Sequence, residues 1–470
     1  MNQMGSNDAI WLYIEPPGES AHVTLVSVYE PGELPPLTRQ ELEAHLHDRL
    51  VSGVPVFSRR LRQLPFHADF PYWVDDPHLD LGRHVRERSL AGPGSWNALL
   101  ATAMEIHAEP LDKRHPLWDF TLVTGLNRAR GLPKGSFAVV SRFHHAMVDG
   151  KSLLEVIHLL HDLSPQSAPP AQPPRAQAAA DGPSLATIAV RAGVHTIANP
   201  TDMLTRVARR LPLLGRQLVN RQARITLPQT RAPRTRFNGP VTADRRLGFA
   251  QFDLDRLRAL RSAVPGSTLN DVALTIIGGA LRDFLDKLAE LPEESLMTAC
   301  PISIRSDQPG QPTLGNQISA MIVPLRTDVA DPVERLAAVA EATRTAKERE
   351  GAISAQLMTD IQANLTAAAS AAVARLVLLA AQRVVVVNTI VSNVPGPQQP
   401  IYLRGRRLRM NLPAVTLVDG MGLVHGVTSY NGELVIGFTV DAAAVPDPKS
   451  YERCLHAAVV ELESAAGATE

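Results

Sequence analysis

Cysteine is nearly absent from this 470-residue chain: only Cys300 and Cys454 occur, so no disulfide framework can form and a reducing, cytoplasmic compartment is expected. Net charge is also missing, since 47 basic residues balance 47 acidic ones. That balance removes the global positive field by which a chain attracts nucleic acid, and no nucleic-acid partner is expected. Long apolar runs are lacking as well. The most apolar stretch, residues 367–387, is interrupted by Arg375 and Arg383, and an unpaired charge near a bilayer centre costs about 2.5 kcal/mol or more. It predicts a buried helix running into a buried strand at Val384–Val387, with any membrane contact peripheral. The amino-terminal residues include Asp8 and Glu15 and lack the basic-then-apolar layout of a secretion signal. There is no G-x-S-x-G elbow, P-loop or paired C-x-x-C, which excludes serine hydrolase, nucleoside triphosphatase and zinc-ribbon readings. Glu155, His158 and His161 share a helical face but suggest no third ligand, so no metal is expected. Cys300, alone in an apolar run, reads as a core residue.

What is present fits two α/β domains. A chain of this length exceeds the usual single core, and 45% apolar content can fill two. Residues 164–184 carry Pro165, Pro169, Pro170, Pro173, Pro174 and Pro183 among alanine and glutamine, a composition that forms no packed element. The following residues, to Arg236, set many arginines against Leu204, Val207, Leu211, Leu214 and Leu218 at helical spacing. That pattern suits either a connector packed on the body or a basic amphipathic surface for anionic lipid or other phosphate groups. The division is therefore 1–163, a connector at 164–240, and 241–470. In the last part, residues 247–252, 321–325, 423–427 and 434–438 read as strands. Thr268 with Asp271 three residues later opens a helix, and Asp331-Pro332 opens another.

The segment with the most chemistry is His144-His145-Ala146-Met147-Val148-Asp149-Gly150. It follows the apolar run Phe137–Val140 and precedes a helix-start signal at Ser152 and Glu155, so it lies on a strand-to-helix loop. Gly150 suits the bend. An imidazole near a helix N-terminus is kept neutral by the dipole and can take a proton from a hydroxyl as that oxygen attacks a carbonyl. Asp149 then orients the base or supports the loop. Fifteen histidines in the chain make one adjacent pair roughly an even chance, whereas Asp and Gly at fixed offsets reduce chance to about one in several hundred.

The heptapeptide resembles the HHxxxDG motif of the coenzyme A-dependent acyltransferase superfamily. Further segments resemble the bacterial wax ester synthase/acyl-CoA:diacylglycerol acyltransferase family over nearly the whole chain: Trp73–Pro77, Asp80–Val85, Pro110–Asp112 running into Pro116-Leu117-Trp118, Phe237–Pro240, Thr268–Val272, Pro301–Arg305 with Gly315-Asn316, and Asn393–Pro397. The resemblance implies two facing open-sheet domains of the chloramphenicol acetyltransferase and condensation-domain type, with the active-site tunnel between them. It also implies an O-acyltransferase that takes acyl-CoA as co-substrate, needs no cofactor and esterifies diacylglycerol or a long-chain alcohol at a membrane or lipid-droplet surface. His145 is then the general base and His144 its support. Asp149 is structural, paired with Arg305, and Gly150 is a candidate oxyanion donor. Asn270 and Asp271 take a capping or substrate-facing role. Trp118 packs behind the site, and Asn393 with Gly396 ends a strand where another backbone comes close. Two other readings remain at this stage: a transferase fed by a carrier-protein thioester, and a non-catalytic lipid-binding member of the fold.

Overall fold

The structure, a computed structural model, describes residues 2–15, 20–148, 150–166, 187, 232–303, 318–350, 366–381 and 384–467. Its centre is the strand Ser136–His144 (β7), whose nine residues are all buried. It lies inside a six-stranded sheet ordered Tyr402–Leu403 (β12), Arg406–Val415 (β13), His22–Tyr29 (β2), β7, Trp118–Leu126 (β6), Val85–Ser89 (β5). Pairing is antiparallel throughout except between β5 and β6. The helix Trp96–Ala108 joins those two parallel strands, the crossover that parallel pairing requires. A second six-stranded sheet runs Ile318–Pro324 (β10), Met297–Ser303 (β9), Thr389–Pro395 (β11), Leu423–Tyr430 (β14), Glu433–Asp441 (β15), Arg245–Asp253 (β8). Asn2–Gln3 (β1), Tyr72–Asp75 (β4) and Arg59–Arg62 (β3) make a small third sheet.

Period-two alternation gives β7 two different faces. Phe137, Val139 and Phe143 join the core beneath the helices Arg39–Leu46 and Gly150–Leu160. Ala138 and Val140 face the other way, into a cluster shared with Leu247 of β8 and Val435 of β15. Arg142 and His144 follow on that second side by the same alternation. The helices Leu269–Asp286, Pro332–Glu350 and Pro448–Ala465 fill the core of the second sheet.

The two sheets meet along β13, which comes from the second half of the chain but pairs with β2 of the first sheet. Residues 402–415 are thus exchanged into the first sheet, an arrangement that the linear division at 241 does not convey. The close approach rests on two glycines opposite each other in β14 and β15, Gly426 and Gly437. A Cβ on Gly426 would lie 2.5 Å from Pro413 Cγ, and one on Gly437 would lie 2.7 Å from Leu412 Cδ1. Only the smallest residue admits β13 there.

Local rules account for several elements. Thr268 and Asp271 form the reciprocal capping box that opens helix 269–286, and Asp331 accepts from the amides of Val333 and Glu334 at the start of helix 332–350. Strands β8, β14 and β15 cover three of the four apolar segments read as strands, and β10 covers the remaining one except Leu325. Two boundaries differ from the sequence reading. Helix 150–160 begins at Gly150, so Ser152, fully buried, lies in its first turn instead of capping it. Residues 384–387 form no strand; β11 starts at Thr389, because the carbonyls of Val385 and Val387 accept from Ala232 N–H and Asn238 Nδ2 and are unavailable to a sheet. The connector at 164–240 lies mostly outside the described residues, its basic stretch included.

Candidate active site

The histidine pair closes β7. The backbone N–H of His144 donates to Leu117 O at 3.0 Å, and that of His145 donates to Ala21 O at 2.8 Å. The chain then turns, with Met147 N–H donating to His144 O at 2.8 Å, and helix 150–160 begins at Gly150. These bonds give the two rings different surroundings.

His144 is fully buried. Its Nδ1 accepts from Ala146 N–H at 3.0 Å, so the neutral ring carries its proton on Nε2, which donates to Glu15 Oε1 at 2.6 Å. Both nitrogens are engaged, and this ring has none left for a substrate. Burial alone would raise the Glu15 carboxyl, but His144, Lys113 and Ala21 N–H hold it below the usual range, so it is ionised at neutral pH. His145 is half-buried and turned to the other side of the loop, where its ring stacks on Trp11 with centroids 4.2 Å apart and planes 16° from parallel.

The strand behind the pair is rigidly held. Buried Arg142 donates from Nε and Nη2 to Asp119 at 2.9 and 2.5 Å, and from Nη1 to the carbonyls of Ile106, at 2.6 Å, and Glu109. One guanidinium thus joins β6 to β7 and satisfies carbonyls at the end of helix 96–108. Trp118 lies in the core at 1% exposure, donating Nε1–H to Phe57 O at 2.9 Å and stacking on His84.

On the second half of the chain, Asn393 of β11 donates to Asn270 Oδ1 at 3.1 Å, bringing two of the singled-out residues together. Helix 150–160 packs against this same strand, which sets the second sheet beside the helix leaving the histidine loop. Asp271 is turned inward: one oxygen caps Thr268, the other accepts from Thr343 Oγ1 at 2.7 Å, so it serves the helix N-terminus and not a ligand. Gly396 N–H donates to Ser429 O at 2.8 Å, and a Cβ there would stand 2.5 Å from that oxygen. Asp149 and Arg305 lie outside the described residues. His161, directly after helix 150–160, is occupied by Ile157 O and the Tyr29 hydroxyl, and Cys300 is a buried thiol that burial pushes up to about 12, unsuited to nucleophilic work.

Three participants escaped the sequence reading: Trp11, Glu15 and Lys113. The one available signal was an acid directly after the apolar run Ile10–Ile14, where a solvated residue would be the ordinary reading.

Comparison with known proteins matches this geometry to a family. The wax ester synthase/diacylglycerol acyltransferase catalytic domain matches residues 4–273, and the C-terminal domain of the same family matches residues 314–463. A Mycobacterium tuberculosis protein named as a candidate diacylglycerol O-acyltransferase is 31% identical over 452 residues, covering 95% of this chain and 87% of its own. The solved wax ester synthase/diacylglycerol acyltransferase of Marinobacter aquaeolei VT8 superposes with a TM-score of 0.71 at 25% identity, covering 99% of this chain and 100% of that one. The starter condensation domain of rhizomide synthetase shares the fold, with a TM-score of 0.55 at 14% identity over 99% of this chain and 94% of that one. With two sheet-rich halves, the histidine motif at the end of β7 and both family domains in order along the sequence, the chain belongs to the wax ester synthase/diacylglycerol acyltransferase family of acyltransferases.

Proposed function

We propose that this protein transfers an acyl group from acyl-CoA to the hydroxyl of diacylglycerol, forming triacylglycerol, and that long-chain alcohols are its second class of acceptor. The observation that carries this reading is the division of labour between the two histidines: His144 has both nitrogens committed within the protein, while His145 stands half-buried on the turn. His145 takes the acceptor's proton as its oxygen attacks the thioester carbonyl, the coenzyme A thiolate leaves, and no covalent enzyme intermediate is needed. A backbone N–H near Gly150 is the proposed donor to the oxyanion. Asp149 paired with Arg305 is the proposed brace of the loop.

The test is incubation of the purified protein with radiolabelled palmitoyl-CoA and either diacylglycerol or hexadecanol, resolved by thin-layer chromatography. Labelled triacylglycerol is the expected product, with wax ester as the second. Transfer only from an acyl carrier protein, or none from either donor, would overturn the reading.

Among the described residues no helix is long and apolar enough to cross a membrane. We propose that the enzyme meets its insoluble acceptor at an anionic lipid surface through the basic segment between 185 and 236. Each basic residue near such a surface contributes on the order of 1 kcal/mol. Replacing Arg206, Arg209, Arg210 and Arg216 together by glutamine should weaken sedimentation with anionic liposomes, and added salt should do the same to the parent protein. Unaltered liposome binding by the fourfold variant would return the segment to the role of a packed connector.

A further inference from the structure

The histidine motif begins at His144, yet the residue that holds this ring's Nε2–H comes from the first fifteen of the chain. We propose that Glu15, just beyond the helix Ser6–Tyr13, is a positioning residue of the reaction: it fixes the tautomer of His144 and, through the backbone beside it, the place of His145. This proposal rests on the reading of His145 as the base.

The geometry has three parts. The Glu15 side chain is 2% exposed, and its Oε1 receives both the His144 Nε2–H at 2.6 Å and the Ala21 N–H at 2.8 Å. The carbonyl of the same Ala21 receives the His145 N–H at 2.8 Å. One carboxylate oxygen therefore holds the ring before the base and the residue to which the base's own backbone is tied. The other oxygen is paired with Lys113, which keeps the carboxylate ionised and aimed. The preceding helix adds Trp11 against the face of His145. Helix 6–13 and the residues following it thus touch both histidines, one by charge and one by an aromatic face.

The consequence follows from the buried state of His144. Without an acceptor its Nε2–H is stranded in the interior, and the ring gains most by flipping or by moving its proton to Nδ1. Either change removes the acceptor for Ala146 N–H and loosens the turn that carries His145. A displacement of about 1 Å at a reacting group costs on the order of a hundredfold in rate. Glu15 is not placed to touch substrate, so binding should be spared.

The experiment uses the full chain with three sequences at position 15. In Glu15→Ala, kcat for acyl transfer from palmitoyl-CoA should fall by about a hundredfold with KM for both substrates within about twofold. In Glu15→Gln, which keeps an oxygen in the same place, kcat should recover by about tenfold over the alanine variant. In protein labelled with ¹⁵N-histidine, the His144 Nε2–H resonance should persist in the parent and in Glu15→Gln and be lost in Glu15→Ala; should the alanine variant fail to fold, Glu15→Gln against the parent carries the kinetic comparison. Alanine-variant turnover within threefold of the parent, or lost turnover with the Nε2–H resonance intact, overturns the proposal. Failure of the base reading is separate: His145→Ala would stay active while the resonance still reported whether Glu15 holds the His144 tautomer.

Discussion

His145→Ala is expected to lower kcat by at least about two orders of magnitude, the usual worth of a positioned general base, with no change in melting temperature. The stability half of this expectation comes from its surroundings. The ring is half-buried on the turn with one face stacked on Trp11, so truncation opens no sealed cavity; its backbone bond to Ala21 survives any side chain. His144→Ala should behave in the opposite manner. That ring is fully buried between Glu15 and Ala146 N–H, and its loss leaves a buried carboxylate short of a donor, so the melting temperature should drop while kcat falls less than in His145→Ala. The pair of variants is read by steady-state kinetics and thermal melting. Near-parental turnover in His145→Ala removes it from the role of base, and a larger loss in His144→Ala reverses the assignment.

Stability should fall markedly between pH 7 and pH 5, before most carboxylates titrate. Several buried histidines are responsible, three of them with shifts large enough to size the effect. Burial lowers His107 and His425 to about 3 and His161 to about 4, from an ordinary value near 6.5. In the folded protein each is held neutral: His161 donates to Ile157 O and accepts from the Tyr29 hydroxyl, His425 lies between Thr389 and the Tyr451 hydroxyl, and His107 bonds Thr24. The unfolded chain therefore binds protons that the folded one refuses. Their contribution is complete above pH 6.5 and is lost as pH falls through that value toward 4, so each costs about 2 kcal/mol at pH 5. Glu452, which burial raises, offsets part of this loss as it takes up a proton, whereas the lowered carboxylates leave the window clear. Glu15 and Glu109 lie below their usual value, and such groups withdraw their stabilisation only below about pH 4.5. Urea unfolding at pH 7 and pH 5 measures the difference. Equal unfolding free energies at the two pH values would mean that these rings protonate without disrupting their sites.

Wherever the determining interactions are local, the sequence was legible. The 3.6-residue spacing with Thr268 and Asp271 placed the start of helix 269–286, and the two-residue alternation placed β8, β14 and β15. The strand-to-helix loop of the histidines was legible for the same reason, an apolar run followed by a motif and a helix. Where tertiary partners competed for local groups the reading slipped. At 384–387 a valine run satisfied every strand preference, but its carbonyls had been taken by residues 232–238. At Ser152 a capping signal sat inside a helix that started earlier, because its hydroxyl went into the interior.

The sequence by itself determined the family of chemistry, the α/β character and the position of the histidine loop, since an unusual heptapeptide and hydrophobic period are properties of neighbouring residues. Tertiary structure alone decided that the His144 ring is committed within the protein, because the carboxylate that occupies it stands 129 residues away and its lysine partner 98 residues from that carboxylate. It alone carried β13 into the first sheet through the gap left by Gly426 and Gly437, and it alone brought Asn393 to Asn270. Contacts of this kind depend on burial and on which groups remain unsatisfied once two sheets have packed, and no spacing along the chain encodes that.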